Sequence, residues 1–580
     1  MTTALYEDRI AALEKAFGPL DDPANPLGGD ALIAAEAEAG VAPGAEEALS
    51  AFGLNAEFVP AELGGRLSRM DVLGRILRPV FRRDASLGFG FGLNCFFAAA
   101  PVWAAGTPEQ RAFVARLLLG GDRIAVARHE VAHGNSFVRD EFTARPAPGG
   151  LVLSGRKTGI ANASRARGLV VFARTEDAER AGGRSHSVLL LDRAELPRDR
   201  VRDVERFATP GMRSAQFGGL SIADCLVRPG AVLGKVGDGY EMSLRSSLQI
   251  RGLIPSIVLA GVDTALRTVV RFATRRRDDG RSSLDVQHVR DVLTGAFLDL
   301  LVMDCLALVA TRALHLLPRQ MSAYAASAAY LAPKLAAESM DEMAAVLGEE
   351  SFLVSGPYGM FLKQLRDLPV TSLGHAGSAG RQVSILPQLP HFARHAWFRD
   401  RPAPAGLFRL SEDLPPLDLQ RLALLGDGDP LAATLVASAE GLQSADGRTP
   451  GHGDRALLRT LTDAFTHELR ELRQAFRSVP RDDRAALSSP HHFGLADRYT
   501  MVLAAAACLG VWREQLGEPG ATDPFLADPA WPVAVLFRLG RRLGLPLPHR
   551  PVSCEQRVLA ELLDRSHRRR SYDLYGSPLA

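Results

Sequence analysis

LVLSGRKTGIANASRARGLVVFARTEDAERAGGRSHSVLLL, residues 151–191, is the stretch on which the fold turns. Three short apolar runs, LVLSG (Leu151–Gly155), LVVFA (Leu169–Ala173) and SVLLL (Ser187–Leu191), stand between Gly, Arg and Asp clusters. Runs of that length bounded by breakers are strand-sized, too short for helices. A fourth, IAVA (Ile124–Ala127), precedes them, and the strand-like character ends near Leu233 in the loop GKVGDGY. On either side the pattern changes. Upstream, the apolar spacing of Asp8–Phe17, Asp71–Phe81 and Pro108–Leu119 follows the helical repeat, with turn clusters between the segments. Downstream, long helical patterns run from Glu241 to about Arg312 and over Ala323–Leu347. Further helices are predicted at Leu417–Leu425, Leu431–Leu442, Asp454–Val479, Leu495–Leu516, Trp531–Leu543 and Cys554–Arg565. The order is helical, β, helical, helical. It predicts a mainly α protein with a central β-domain, divided at 1–121, 122–238, 239–396 and 397–580, and 580 residues suffice for three to four compact units.

Composition narrows the function classes. Lys+Arg at 68 against Asp+Glu at 66 leaves a formal charge of +2, which argues against a grip on nucleic-acid phosphates. Five Cys without a CxxC exclude a disulfide scaffold and a Cys-based zinc site. The N-terminal MTTALYEDRIAALEKAF reads as an amphipathic helix, not a signal peptide. The apolar stretches Leu87–Ala105 and Phe297–Leu317 are interrupted by Asn94, Asp299, Asp304 and glycines, so no membrane span is expected and the location read is cytoplasmic.

His129-Glu130-Val131-Ala132-His133 spells HExxH. On a helix, the two His would share a face and hold Zn²⁺ while the Glu activates water. Here the motif follows a strand-like run and precedes Gly134-Asn135-Ser136, which stops a helix, so a loop is predicted and a zinc metallopeptidase is only a minor alternative.

The surroundings of that loop carry a different resemblance. GTPEQRAFVARLLLGGDRIAVARHEVAHGNS resembles the junction of acyl-CoA dehydrogenases in which a "GT-x-EQ…LL-x-G" helix end leads to a strand and a "TEPGAGSD" loop against the flavin. Glu130 and Gly134 match that loop, while His129 replaces its Thr and Asn135 its Ser. SGRKTGIANASRARGLVVFART is similar to the family's "NGxKxWITNG" strand pair, with Lys157, Ile160 and Asn162 matching, Gly159 in place of the Trp and Ala161 in place of the Thr. TPGMRSAQFGGLSIADCLVRPGAVLGKVGDGYEM follows "GxRGS…VPxxxLLGxxGxGF". Arg251, Arg276, Gly280 and Gln287 keep the register of the family's Arg and "R-x-x-F-G-x-x-L-x-x-x-Q" elements, with Asp279 for the Phe and Ser283 for the Leu. Ser355-Gly356-Pro357-Tyr358-Gly359 resembles the "GGxG" flavin-adenine loop, and Arg366-Asp367 its "RD". The resemblance covers about residues 1 to 395.

It implies a flavoprotein fold: a helical N-domain, a β-barrel or sandwich middle domain, a four-helix bundle and an extra C-terminal helical domain. It implies FAD between the β-domain and the bundle. His129, Glu130, Gly134, Asn135, Ala161 and Asn162 would be its β-domain contacts, with Arg276, Gln287, Gly356 and Gly359 at the adenine half. Physical chemistry agrees for two of these types. A guanidinium such as Arg276 suits pyrophosphate oxygens, and glycines admit close approach of backbone amides.

The implied reaction is the FAD-dependent α,β-dehydrogenation of an acyl thioester on CoA or an acyl carrier protein, an oxidoreductase activity placed in specialised metabolism. A carboxylate normally removes the α-proton. Its usual position, nine residues after the Arg of "RD", holds His375, and the alternative position before Arg251 holds Ile250. His375 is therefore the candidate base, since an imidazole titrates near neutrality, and Arg251 the polar group lining the substrate end. A flavin monooxygenase on the same fold and an inactive relative are the alternatives. A homodimer is expected, because residues 400–580 form an extension large enough to replace a subunit contact. Within it, GLADRYTMVLAAAACLGVW is apolar around most of its circumference and predicts a buried helix, whereas the tail RSHRRRSYDLYG reads as a solvated basic helix end.

Overall fold

The computed structural model describes residues 3–133, 139–176, 182–278, 280–371, 379–444, 452–479, 488–516 and 523–580. Contacts gather the chain into two compact units, 22–69 with 84–250, and 1–21 with 70–83 and 251–580. The predicted N-terminal helical domain is thus shared out. Thr3–Phe17 and Met70–Arg83 belong with the long helices, while Asn94–Ala105 and Pro108–Leu119 belong with the strands.

The β-unit is built on one sheet. Its strands are β1 (Ile124–Ala127), β2 (Thr143–Ala147), β3 (Gly150–Ala161), β4 (Gly168–Arg174), β5 (His186–Asp192), β6 (Val201–Val204), β7 (Phe217–Val227) and β8 (Val232–Leu233). They run in the order β6-β7-β3-β2-β4-β5-β8, with β1 parallel to β4. Leu153, Ile160, Leu169, Val171, Leu189, Leu191, Leu220 and Ile222 share one core, so alternate residues of four strands, β3, β4, β5 and β7, face each other as in a sandwich. β4 and β5 are buried on both faces, which is why LVVFA and SVLLL read as unbroken apolar runs.

The helical unit contains α1 (Thr3–Phe17), α2 (Met70–Arg83), most of α3 (Gly239–Arg275), α4 (Gln287–Leu316), α5 (Met321–Leu347), α6 (Gly359–Thr371), α7 (Ala379–Ile385) and α8 (Leu389–His395). The extension adds α9 (Pro430–Ser444), α10 (His452–Arg477), α11 (Pro490–Glu514), α12 (Ala530–Leu543) and α13 (Val552–His567). No boundary separates the extension from the bundle, because α4 packs against α5, α11, α12 and α13 alike. The predicted helix at Leu417–Leu425 is not formed. Only a single 3-10 turn, Leu419–Arg421, lies between Pro415-Pro416 and Gly426, and a segment that short cannot repay helix nucleation.

Four helical stretches, Ala85–Ala105, Gly239–Arg275, Gln287–Leu316 and Pro490–Glu514, are long and apolar enough to cross a membrane. Their apolar windows are 78 to 100% buried inside the protein, so that apolarity is used in packing.

Buried ion pairs tie the helical unit together. Arg78 lies between Asp304 at 2.5 Å and Asp573 at 3.0 Å, and Arg312 meets Asp71 at 2.7 Å. Asp299 on α4 holds both Arg538 (2.7 Å) and Arg542 (2.9 Å) from α12. Asp429 accepts from Trp397 Nε1, Tyr499 Oη and Tyr324 Oη at 2.8, 2.8 and 3.1 Å. Asp573 corrects the reading of the tail. Ser571, Tyr572, Asp573 and Leu574 are 0–2% exposed, so the segment is core and not a solvated end. The charge that made it look exposed is met by partners on distant helices: Leu574 N donates to Asp304, Tyr572 N to Asp263, and the Tyr575 ring stacks 3.5 Å from the Arg75 guanidinium.

Candidate active site

In the β-unit, the HEVAH segment is not a helix. Val131–His133 makes one 3-10 turn after β1, so the two histidines do not share a helical face. Glu130 is buried and its carboxylate accepts from the amides of Glu141 (2.8 Å) and Phe142 (3.0 Å) and pairs with Lys157 at 3.2 Å. Burial pushes its carboxyl up, but those amides and Lys157 outweigh it and hold the group below the usual carboxylate range. Lys157 is fully buried and also meets Asp140. Glu130 therefore joins strand to loop, and its side chain is committed within the protein. Among the described residues no group of three His, Cys, Asp or Glu could hold a metal. Gly134 and Asn135 lie outside the described residues.

The end of β3 is built with unusual backbone. Gly159 has φ +73° and Asn162 φ 60°, a region L residues other than Asn and Asp avoid. A Cβ at Gly159 would stand 3.5 Å from Val131 of the HEVAH turn. Val131 N in turn donates to Thr158 Oγ1 (2.9 Å), and Thr158 N to the His129 carbonyl (3.3 Å), so loop and strand form one surface. Asn94 donates to the Ala161 carbonyl at 3.1 Å. Asn162 turns its amide inward, onto the Gly90 carbonyl within the π-helical turn Gly88–Leu93. A π turn leaves carbonyls without their helical donors, and Asn162 supplies one. His129, Ala161 and Asn162 are thus brought together. Ser214 Oγ, Ser243 Oγ and Gln249 Nε2 are among the buried polar atoms of the same unit that meet no protein partner among the described residues. Native interiors rarely leave such atoms unmet. Nothing in their sequence context singled them out.

In the helical unit, Arg276 ends α3 with its guanidinium 5.6 Å from the Phe272 ring. Phe272 makes an edge contact with Tyr358 at 5.3 Å, and Arg271 donates to the Pro357 carbonyl. The Ser355–Tyr358 loop is thereby set against the end of α3, beside Arg276. Gly356 has φ +85° with open space where a Cβ would be, and the Gly359 amide donates to its carbonyl (3.1 Å) as α6 begins. Phe272, Tyr358 and Arg271 were missed by motif reading, although Tyr358 lies within the quoted loop. Gln287 opens α4 after a turn closed by Ser283 N on the Arg276 carbonyl (3.3 Å), and it is engaged with Asp291 (2.7 Å) and Arg290 (2.8 Å) on its own helix. Arg251 donates to Ser384 Oγ of α7 at 3.1 Å. Asp367 pairs with Lys363 at 2.9 Å, both buried. His375 lies outside the described residues. A separate cleft of about 390 Å³, lined by Arg538, Arg542, Arg550, Glu338, Glu342 and Asp291, contains none of these candidates and is closed by its own ion pairs.

Comparison with known proteins agrees with this geometry. Residues 237–387 match the family described as acyl-CoA dehydrogenase, C-terminal domain. The human mitochondrial short-chain specific acyl-CoA dehydrogenase is 28% identical over 245 residues, 42% of this chain and 58% of that protein. The chain thus spans a little over half the length of the curated relatives it matches. Butyryl-CoA dehydrogenase from Megasphaera elsdenii superposes with TM-score 0.59 at 17% identity, over 66% of this chain and 97% of that one. The prolyl acyl carrier protein oxidase AnaB gives 0.57 at 20%, over 66% and 97%. The fold is that of the acyl-CoA dehydrogenases. Residues 237–387 match that family's C-terminal domain, and α8 to α13 lie beyond the match.

Proposed function

We propose that this chain is an FAD-dependent oxidoreductase that dehydrogenates an acyl thioester between its α and β carbons. The observation that carries the reading is the Arg276–Phe272–Tyr358 arrangement inside the matched domain, where a guanidinium, two rings and the open Gly356 backbone meet. Arg276 suits a pyrophosphate, and the 356–359 backbone suits close approach by the adenine half. When bound, FAD supplies the acceptor for the β-hydride. The chain's own part is to take the α-proton on an imidazole nitrogen of His375 and to orient the thioester through Arg251.

The purified protein is expected to show flavin absorbance, and anaerobic addition of an acyl thioester to bleach it. His375→Ala is expected to slow the bleaching by about 10²–10⁴-fold, the usual contribution of a positioned base. Unaltered bleaching removes His375 from the mechanism, and absence of flavin removes the function.

A homodimer is part of the same reading. Phe352, Leu353 and Val354, 79, 50 and 61% exposed, form a continuous apolar run directly before the Ser355–Tyr358 loop, the kind of patch a second copy covers. Light scattering should give twice 62.3 kDa, and Phe352→Asp should return the mass to that of one chain.

A further inference from the structure

Many arginines of the helical unit face carboxylates. Arg498 forks onto Glu468 at 2.6 Å, Arg538 and Arg542 onto Asp299, and Arg409 onto Glu412 and Glu514. On one face a group of them does not. Where α8 packs against α10, Arg394, Arg399, Arg470, Arg473 and Arg477 gather around Phe398. The guanidiniums of Arg470 and Arg473 lie 5.4 and 5.5 Å from the Phe398 ring centre. Arg473 Nε donates to the Ala393 carbonyl at 3.3 Å, and Arg394 to the carbonyls of Val479 and, at 3.5 Å, Arg477. Among the described residues none of the five meets a carboxylate. Of the described acidic side chains near them in sequence, Asp400 accepts from Asp429 N at 2.6 Å, Glu468 holds Arg498, and Glu471 stands 3.9 Å from His467. Partial burial, then the charges of Arg477 and Arg399, pull the Arg473 guanidinium below its usual value.

Two further observations mark the patch. Phe398 is half-exposed and carries φ 63°, a backbone conformation an aromatic residue rarely adopts and that persists where surroundings impose it. Arg399, Arg470 and Arg477 are exposed. In a chain of formal charge +2, five adjacent cations that meet no carboxylate among the described residues are a local segregation of charge.

We propose that this face docks an acidic protein domain, the carrier that presents the acyl thioester, with Phe398 as anchor and the arginines as a steering rim. The cargo rests on the function proposed above; the docking does not. An aromatic centre ringed by arginines has the composition of a protein–protein hot spot. A phosphate backbone would need a longer basic track than one helix crossing provides.

The test uses the full chain and an acidic holo acyl carrier protein, loaded or unloaded with the acyl group. Binding followed by calorimetry is expected to weaken at least about tenfold in R470E/R473E and likewise on raising salt from about 50 to about 300 mM. Lys substitutions at the carrier's acidic positions should restore binding to R470E/R473E. The kcat/KM for the carrier-borne thioester should fall by about 10–100-fold, and that for the same acyl group on CoA should stay unchanged. Equal binding by wild type and variant overturns the proposal. So does an equal loss with the CoA thioester, which would mean a phosphate site or a damaged fold. Charge-dependent carrier binding without flavin bleaching by either thioester leaves the docking standing and defeats the function instead.

Discussion

Asp573→Ala is expected to destabilise the helical unit by about 3–5 kcal/mol, read as a lower urea midpoint with little change in slope. Its carboxylate is buried, meets Arg78 at 3.0 Å, and accepts from Ser571 Oγ (2.7 Å) and the amides of Tyr575 and Gly576 (3.1 Å each). Burial opposes its ionisation, but Arg78, Arg82, Ser571 and Arg75 outweigh that and hold it far below the usual carboxylate range. Asp304, which shares Arg78, is pushed up by burial and by Asp573. The two acids therefore divide one guanidinium, and losing Asp573 leaves the Arg75–Arg78–Arg82 face of α2 short of charge where water does not reach. Leu574 and Tyr572 would lose register with Asp304 and Asp263 as well. The contrast is Arg569→Ala. Its 3.3 Å pair with Asp21 is half-exposed on both sides, so the cost should stay within about 1 kcal/mol. Equal small effects at both sites would show that the tail is not part of the core.

The second large effect is in acid. Asp299 is buried, and burial would raise its pKa; Arg538 and Arg542 reverse that and hold it at about 2, below the ordinary 3.8. A depressed carboxylate contributes stability above its unfolded pKa and loses it as pH falls through the folded value. The expected contribution is roughly 2 kcal/mol, complete above about pH 4 and lost as pH falls through about 2. Asp299→Asn should abolish that slope. It should also cost about 3–5 kcal/mol at neutral pH, because two neighbouring guanidiniums of α12 then lose the buried carboxylate between them. Urea unfolding at about pH 5 and about pH 2.5 measures both effects. An acid slope that survives the substitution places the titration elsewhere.

Elements held by local pattern were legible. IAVA is β1 to the residue, LVVFA lies inside β4, SVLLL inside β5, and the helix written over Trp531–Leu543 begins one residue earlier at Ala530. β7 was not, because FGGLSIADCLV mixes glycine, serine and aspartate; its pairing with β3 and β6, not its apolarity, makes it a strand. The segment Leu417–Leu425 shows the reverse error, a helical pattern without length or caps. For the site, the matched register of Arg276 and Gly356 found the loop and helix end that the structure joins, but Phe272, the ring between them, carries no motif. Glu130 matched a flavin-loop position, yet its chemistry is fixed by Lys157 and two amides that only the folded sheet brings near. Charge pattern misled most at the C-terminal tail. RSHRRRSYDLYG is hydrophilic by composition, and nothing local reveals that its partners lie on α2, α3 and α4.

That arrangement bears on biosynthesis. The Arg78–Asp573 bond joins residues 495 positions apart, so α2 leaves the ribosome long before its counter-ion exists. Until Asp573 has been translated, the nascent helices hold a half-neutralised cation cluster that cannot close, and a messenger cut short anywhere upstream yields a product for chaperones and proteases to remove.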